Sequence, residues 1–160
     1  MYELSDFDVS PGFSLAIETG PAGLRRIEFG AHAENSHHSS LMRETVRQLR
    51  LYFVGDLQTF DLPLDLIGTE FQKRVWNALV TIPYGETRSY TEIAAQIGAP
   101  RAVRAVGAAN GRNPIPIVVP CHRVIGASGN LVGFGGGLAW KRLLLDLEAK
   151  HAGRSRKATN

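Results

Sequence analysis

Three helix starts follow one another between Thr69 and Asn110, and they confine the second half of this chain to a helical fold. Thr69-Glu70-Phe71-Gln72 and Ser89-Tyr90-Thr91-Glu92 both fit the capping box, in which the first and fourth side chains satisfy each other's free backbone amides. The first helix runs to Val80, sets Phe71, Val75, Ala78 and Leu79 on one face, and is ended by Pro83-Tyr84-Gly85-Glu86. The second runs to Ile97 and buries Ile93, Ala94 and Ile97. Gly98-Ala99-Pro100 is then a tight turn, because Gly98 suits the left-handed position after a helix and Pro100 the first turn of the next. The third helix, 101–110, carries Ala102, Ala105, Gly107, Ala108 and Ala109, so one side is nearly smooth, and Arg101 and Arg104 share a face. A helix-turn-helix of this kind serves either close helix packing or the approach of a backbone to a nucleic-acid groove.

The remaining elements are shorter. Runs 13–19 and 24–29 are apolar and separated by Gly20-Pro21-Ala22-Gly23, which predicts a hairpin. A helix follows over 39–53, with Leu41, Thr45, Leu49, Tyr52 and Phe53 at helical spacing, Arg43, Glu44, Arg47 and Arg50 on the other side, and Gly55 as its stop. Residues 60–66 alternate like an edge strand, with Pro63 unable to donate to a central ladder. No catalytic cluster is evident in this half. A last helix, 138–149, turns Trp140, Leu143, Leu144 and Leu147 inward and Lys141 and Arg142 outward. Glu148 near its end opposes the helix dipole, so a specific partner for that carboxylate is expected.

At 160 residues, 44% of them apolar, the chain holds one ordinary domain or two small ones. No apolar stretch approaches the roughly 20 residues needed to cross a bilayer. The first residues lack the pattern of a signal peptide, so an intracellular, cytoplasmic protein is expected. Charge divides the chain sharply near Gly68: residues 1–67 hold 5 Lys/Arg and 10 Asp/Glu, residues 68–160 hold 13 and 5. The basic half suits a polyanion, or presents a solvated face and tail, since Arg154, Arg156 and Lys157 lie in an end expected to be disordered. With one cysteine there is no internal disulfide, and the five histidines are too scattered for a structural zinc site, so no metal is expected; His37-His38 reads as a solvated loop pair.

That one cysteine, Cys121, stands in Ile117-Val118-Val119-Pro120-Cys121-His122-Arg123-Val124-Ile125-Gly126. A thiol reacts as thiolate, and an unperturbed pKa of about 8.5 requires help from a base or a cation at neutral pH. His122 can give it only if the backbone turns sharply, because neighbouring side chains of a strand point to opposite faces. Pro116 and Pro120 before the pair, and Gly126 and Gly129 after it, allow such a turn.

The chain resembles the O6-alkylguanine-DNA alkyltransferases, or methylated-DNA-protein-cysteine methyltransferases. The likeness rests on Pro83-Tyr84-Gly85-Glu86 with Ser89-Tyr90, on Arg104-Ala105-Val106-Gly107, on Asn113-Pro114, on Pro120-Cys121-His122-Arg123-Val124, on Gly133-Phe134-Gly135-Gly136-Gly137, and on Glu148, in matching order and spacing. It implies an α/β (α+β) architecture: a small ribonuclease H-like N-terminal domain, 1–67, followed by a mostly helical winged-helix, helix-turn-helix domain, 68–150, and a basic tail, 151–160. It implies direct DNA repair, in which the alkyl group of O6-alkylguanine, and also of O4-alkylthymine, moves irreversibly to Cys121 of a protein used once. No cofactor would be needed.

By the same resemblance Cys121 is the nucleophile, His122 takes its proton through a water, Glu148 polarises the imidazole, and Asn113 braces the turn before the cysteine. Tyr90 would hydrogen-bond the departing base and crowd the DNA backbone. Asn110, Pro116, Val124, Phe134 and Gly135 would form the pocket, with the carbonyls of Cys121 and Val124 reading the guanine amine. Arg104 would fill the gap left by the flipped base, with Arg101 and Ala105 beside it on the DNA. Phe134 stands where a tyrosine is common and Asn110 where an apolar residue can occur, which leaves the size of accepted alkyl groups open. The implied partner is double-stranded DNA carrying the lesion, with the protein a monomer in solution and cooperativity on DNA open. Three other classes compete: a non-catalytic module that binds alkylated bases, a cysteine hydrolase using Cys121 and His122, and a plain transcriptional regulator.

Overall fold

The computed structural model describes residues 2–30, 39–129 and 136–153. Three antiparallel strands, β1 (Glu3–Ser10), β2 (Phe13–Gly20) and β3 (Gly23–Phe29), form a meander in the order β1-β2-β3. The hairpin expected at 20–23 joins β2 to β3, where Gly20 pairs with Gly23. Strand alternation drives the packing: Phe7, Leu15, Ile17 and Ile27 are buried. β1 was not expected, since its polar residues Ser5, Asp6 and Asp8 dilute the alternation that an outer strand can do without.

Residues 60–66 do not form the strand that their alternation suggested. Leu24 N–H donates to the Pro63 carbonyl at 2.8 Å and Asp65 N–H to the Leu24 carbonyl at 2.8 Å, and the pairing stops at the single bridge Leu24↔Leu64. Pro63 has no N–H with which to extend the ladder. The approach is close enough that a Cβ on Gly23 would lie 2.5 Å from the Pro63 carbonyl oxygen.

Helix α1 (Ser40–Phe53) begins at Ser39, whose side chain accepts the Met42 N–H at 3.1 Å. Its buried face is Met42, Thr45, Gln48, Leu49 and Tyr52; Leu41 is only half-buried, so the apolar stripe is centred one position later than the periodicity implied. Helices α2 (Glu70–Val80) and α3 (Tyr90–Gln96) both start in complete capping boxes, Thr69 with Gln72 and Ser89 with Glu92. Gly98 takes the left-handed φ of 76° expected of it. Helix α4 (Val103–Gly111) starts two residues later than expected, so Arg101 precedes the helix and Arg104 lies in its first turn. The Trp76 indole N–H ties α2 to α4 through the Ala109 carbonyl at 2.9 Å.

Two-residue strands β4 (Arg88–Ser89) and β5 (Val124–Ile125) pair in parallel, Arg88 with Val124 and Ser89 with Ile125. That pairing sets the residues just before β5 beside the start of α3. Helix α5 (Leu138–His151) is the last element of the described residues, with Trp140 and Leu144 buried as expected and Arg142 exposed. Lys141 is the correction, for it is fully buried rather than outward, because its ammonium finds the Val124 carbonyl at 2.6 Å. The buried apolar residues form one cluster, from Leu15 and Ile17 of the sheet through Tyr52, Trp76 and Leu79 to Val119, Val124 and Leu144. Each fully buried Leu or Ile in it contributes about 1.5–3 kcal/mol. No helix among the described residues is long and apolar enough to cross a membrane.

Candidate active site

The segment from Asn113 to Arg123 is built to hold one thiol in one place. Ile117 has φ = 74°, a left-handed conformation that a β-branched side chain resists by about 1–2 kcal/mol. The surrounding bonds enforce it: Val119 N–H donates to the Ile115 carbonyl at 2.9 Å, and Cys121 N–H to the Val119 carbonyl at 2.8 Å. Asn113 clasps the same turn from both sides, its Oδ1 accepting the Ile115 N–H at 2.9 Å and its Nδ2 donating to the Val119 carbonyl at 2.7 Å. The chain then winds through one 3-10 turn, Cys121–Arg123. That turn is the sharp bend which a strand lacks, and it sends three consecutive side chains to three destinations.

Cys121 lies on a cavity of about 290 Å³, whose walls include Asn110, Gly111 and Asn113, Pro116, Gly136, and Ile27, Glu28 and Phe29 of β3. Phe29 packs so tightly that a Cβ on Gly136 would fall 2.4 Å from its ring. Burial pushes the Cys121 thiol up to about 11, against the Asn113 side chain and the Lys141 ammonium, which favour the thiolate. The resting thiol is protonated, so its reaction needs a proton acceptor.

His122 is fully buried, and its Nε2 lies 2.6 Å from Glu148 Oε2. Arg123 Nε donates to Glu148 Oε1 at 2.8 Å and its Nη2 to Oε2 at 3.0 Å, while its Nη1 reaches the Ile82 carbonyl at 2.7 Å. Gly85 N–H and the Tyr52 hydroxyl complete the set, at 3.2 and 2.6 Å. Burial alone would raise the Glu148 pKa, but His122 and Arg123 outweigh it and hold the carboxyl ionised well below the usual range. Against an ionised Glu148, Nε2 is the donating nitrogen of His122, which leaves Nδ1 with the lone pair. Nδ1 is buried and has no hydrogen-bond partner among the described residues. Burial also lowers the His122 pKa, more than Glu148 raises it, so the ring is neutral and ready to accept a proton at Nδ1.

Residues 70–150 match the model of the 6-O-methylguanine DNA methyltransferase, DNA binding domain. The chain is 70% identical over 107 residues to a methylated-DNA–protein-cysteine methyltransferase of Mycolicibacterium paratuberculosis, a match that covers 67% of this chain and 65% of the relative. It is 49% identical to the crystallised Mycobacterium tuberculosis O6-methylguanine methyltransferase, with a TM-score of 0.86 and all of both chains covered. This chain belongs to the 6-O-methylguanine DNA methyltransferase family. The M. tuberculosis relative has also been crystallised in complex with DNA, and that structure matches with 50% identity, a TM-score of 0.81 and 99% of each chain covered.

Within this methyltransferase family member, six of the residues singled out in the sequence gather into two groups. Cys121, Asn113, Asn110 and Pro116 meet at the cavity, and His122 and Glu148 meet behind it. Asn110 is buried, with Nδ2 3.4 Å from the Cys121 carbonyl. Val124 is buried one residue beyond the turn, with its carbonyl taken by Lys141. Tyr90 opens α3, half-buried beside Gly107 of α4; burial raises its pKa and the nearby Cys121 adds to that. Arg104 and Ala105 are exposed in the first turn of α4, and Arg101 is exposed just before that helix. Phe134 and Gly135 lie outside the described residues, as do His37 and His38.

Four participants were not foreseen. Arg123 and Tyr52 hold Glu148, Lys141 faces Cys121, and β3 supplies a wall of the cavity. Arg123 had a signal in its sequence, a long basic side chain enclosed by Cys121, His122 and apolar Val124 and Ile125. Tyr52 had none beyond its helical periodicity.

Proposed function

We propose that this protein repairs alkylated DNA directly, by moving the alkyl group from O6 of guanine, and also from O4 of thymine, to Cys121. The observation that carries the proposal is a buried thiol on a cavity, next to a neutral imidazole whose far nitrogen is fixed by an ionised carboxylate. Family membership supports the same chemistry.

In this reading the Cys121 proton passes through a water to His122 Nδ1, and the sulfur attacks the alkyl carbon in line with the C–O6 bond. The S–C bond forms, the C–O6 bond breaks with its electron pair on O6, and the guanine anion, to which Tyr90 donates a hydrogen bond, takes up a proton from solvent water, the hydroxide so formed being neutralised by the proton that the imidazolium releases. Glu148 steadies the imidazolium. The thioether has no route back to thiol, so each molecule acts once.

The damaged base must leave the helix, at a cost of a few kcal/mol that pocket contacts offset. Arg104, exposed at the start of α4 with Ala105 beside it and Arg101 just before the helix, would occupy the gap in the duplex. Residues 1–67 would be a ribonuclease H-like domain and 68–150 a winged-helix domain of a cytoplasmic monomer.

The test mixes the protein with an equal amount of duplex carrying one O6-methylguanine and measures peptide masses, with Cys121→Ser alongside. A gain of one methylene on the Cys121 peptide, matched by loss of the lesion and absent in the variant, is the expected result. Tight binding without a change in mass would instead make the protein a lesion-binding module.

A further inference from the structure

We propose that Tyr52 is a positioning residue of the reaction centre, its phenol governing how strongly Glu148 holds His122. The proposal rests on the reading of Cys121 as alkyl acceptor, and extends the proton relay to a residue of helix α1 in the other half of the chain.

The geometry is specific. Glu148 Oε2 receives three donors, the Tyr52 hydroxyl at 2.6 Å, His122 Nε2 at 2.6 Å and Arg123 Nη2 at 3.0 Å. Tyr52 and His122 therefore compete for the electron density of one oxygen, with both side chains fully buried. Burial and the adjacent Glu148 both drive the Tyr52 pKa well above its ordinary value, so the hydroxyl keeps its proton and acts purely as a donor. A buried tyrosine needs some partner for its hydroxyl, but a backbone carbonyl would satisfy it. This one is given to the carboxylate that orients the imidazole.

The remaining charged and titratable groups around the carboxylate are Arg123 and, beyond it, Tyr84, whose ring lies under the Arg123 guanidinium. Lys141 faces His122 from α5. The Tyr84 ring also meets the Tyr52 ring edge to face at 6.1 Å, a contact that phenylalanine and fluorotyrosine both keep, so the series varies the hydroxyl and retains the ring.

Three proteins form the test: wild type, Tyr52→Phe, and wild type with 3-fluorotyrosine placed at 52, which keeps the geometry and makes the phenol a stronger donor. Two quantities are read in each: the His122 titration by NMR of a ring-labelled histidine, and the rate of alkyl transfer against pH. Without the phenol, Glu148 becomes a stronger base and the His122 midpoint moves up by about half a unit; with the fluorinated phenol it moves down. The acid limb of the rate profile follows in the same order, so Tyr52→Phe is about threefold slower on that limb and within twofold of wild type above it.

A His122 midpoint that stays fixed across the series overturns the proposal. So does a uniform loss of rate with no change in the shape of the profile, which is what a merely structural tyrosine would give. If Tyr52→Phe does not fold, the fluorinated protein still decides, because it removes no atom of the ring. If the wild type transfers nothing, the alkyltransfer reading fails while the NMR series still reports on the coupling of Tyr52 to His122.

Discussion

Asn113 donates its amide to the Val119 carbonyl at 2.7 Å, closing a turn in which Ile117 is held at φ = 74°. The strain and its clasp lie immediately before the cysteine, so the position of the thiol is set by backbone geometry more than by the thiol's own contacts. At such a φ the usual order of substitutions reverses. Ile117→Gly is expected to be more stable than Ile117→Ala by about 1 kcal/mol, although glycine loses one buried carbon more. Urea unfolding of the pair checks it, and an alanine variant at least as stable as the glycine one would show that the turn carries no strain.

Glu148→Gln should be severe. The amide keeps one acceptor oxygen and turns an N–H₂ toward Arg123, leaving a buried guanidinium without its carboxylate, a loss of about 3–5 kcal/mol. The acid side has a sign of its own. The Glu148 pKa is lowered in the folded state, so its contribution is present above the ordinary carboxyl value of 4.5 and lost as pH falls through the folded value. The variant's stability should accordingly be flatter below pH 4.5 than that of wild type. Unfolding midpoints from pH 6 down to pH 2 make the comparison, and parallel curves would remove Glu148 from the acid response.

The alkaline side belongs to Cys121. Burial raises the thiol from an ordinary 9.0 to about 11, so the folded state keeps a proton that the unfolded chain releases. Its contribution is full below pH 9.0 and disappears as pH rises through 11. Cys121→Ser should lose less stability than wild type over that window. Tyr52 and Tyr84 are shifted in the same direction, but both proteins retain them; Tyr90 is raised in part by Cys121, so the difference between the two urea series reports the thiol together with its coupling to Tyr90.

Arg104→Ala should separate duplex repair from reaction with the free base. The exposed guanidinium touches nothing in the cavity, and its proposed task exists only where a base has left a helix. Transfer from duplex is expected to fall about tenfold or more, the lower end of the 1–3 kcal/mol that one arginine contact carries. Transfer from free O6-methylguanine should stay within twofold. Equal losses on the two substrates would contradict the role in filling the gap.

The helices of the second half were readable because their starts are chemical: Thr69 with Gln72 and Ser89 with Glu92 write the capping boxes in four letters each. The cysteine turn was readable for a similar reason, since Pro116 and Pro120 leave the backbone few alternatives before the pair and Gly126 frees it afterwards. The opposition of Glu148 to its helix dipole correctly announced a specific partner, and four residues in fact supply one. Tertiary closure was not readable. Lys141 looks like a surface residue until the Val124 carbonyl is beside it, and Tyr52 looks like a core aromatic until Glu148 arrives from 96 positions away. The wall made by β3 depends on Phe29 meeting Gly136, and nothing in either segment alone predicts that contact.

The 3-10 turn places a thiol, an imidazole and a fastening guanidinium on three successive codons. Cys121 meets the cavity, His122 meets Glu148, and Arg123 binds Glu148 of α5 and the Ile82 carbonyl just beyond α2. Chemistry and framework are therefore inherited together. Replacing the first of the three leaves the frame intact, because the third still rivets two helices; loss of the third undoes the frame and with it the setting of the other two.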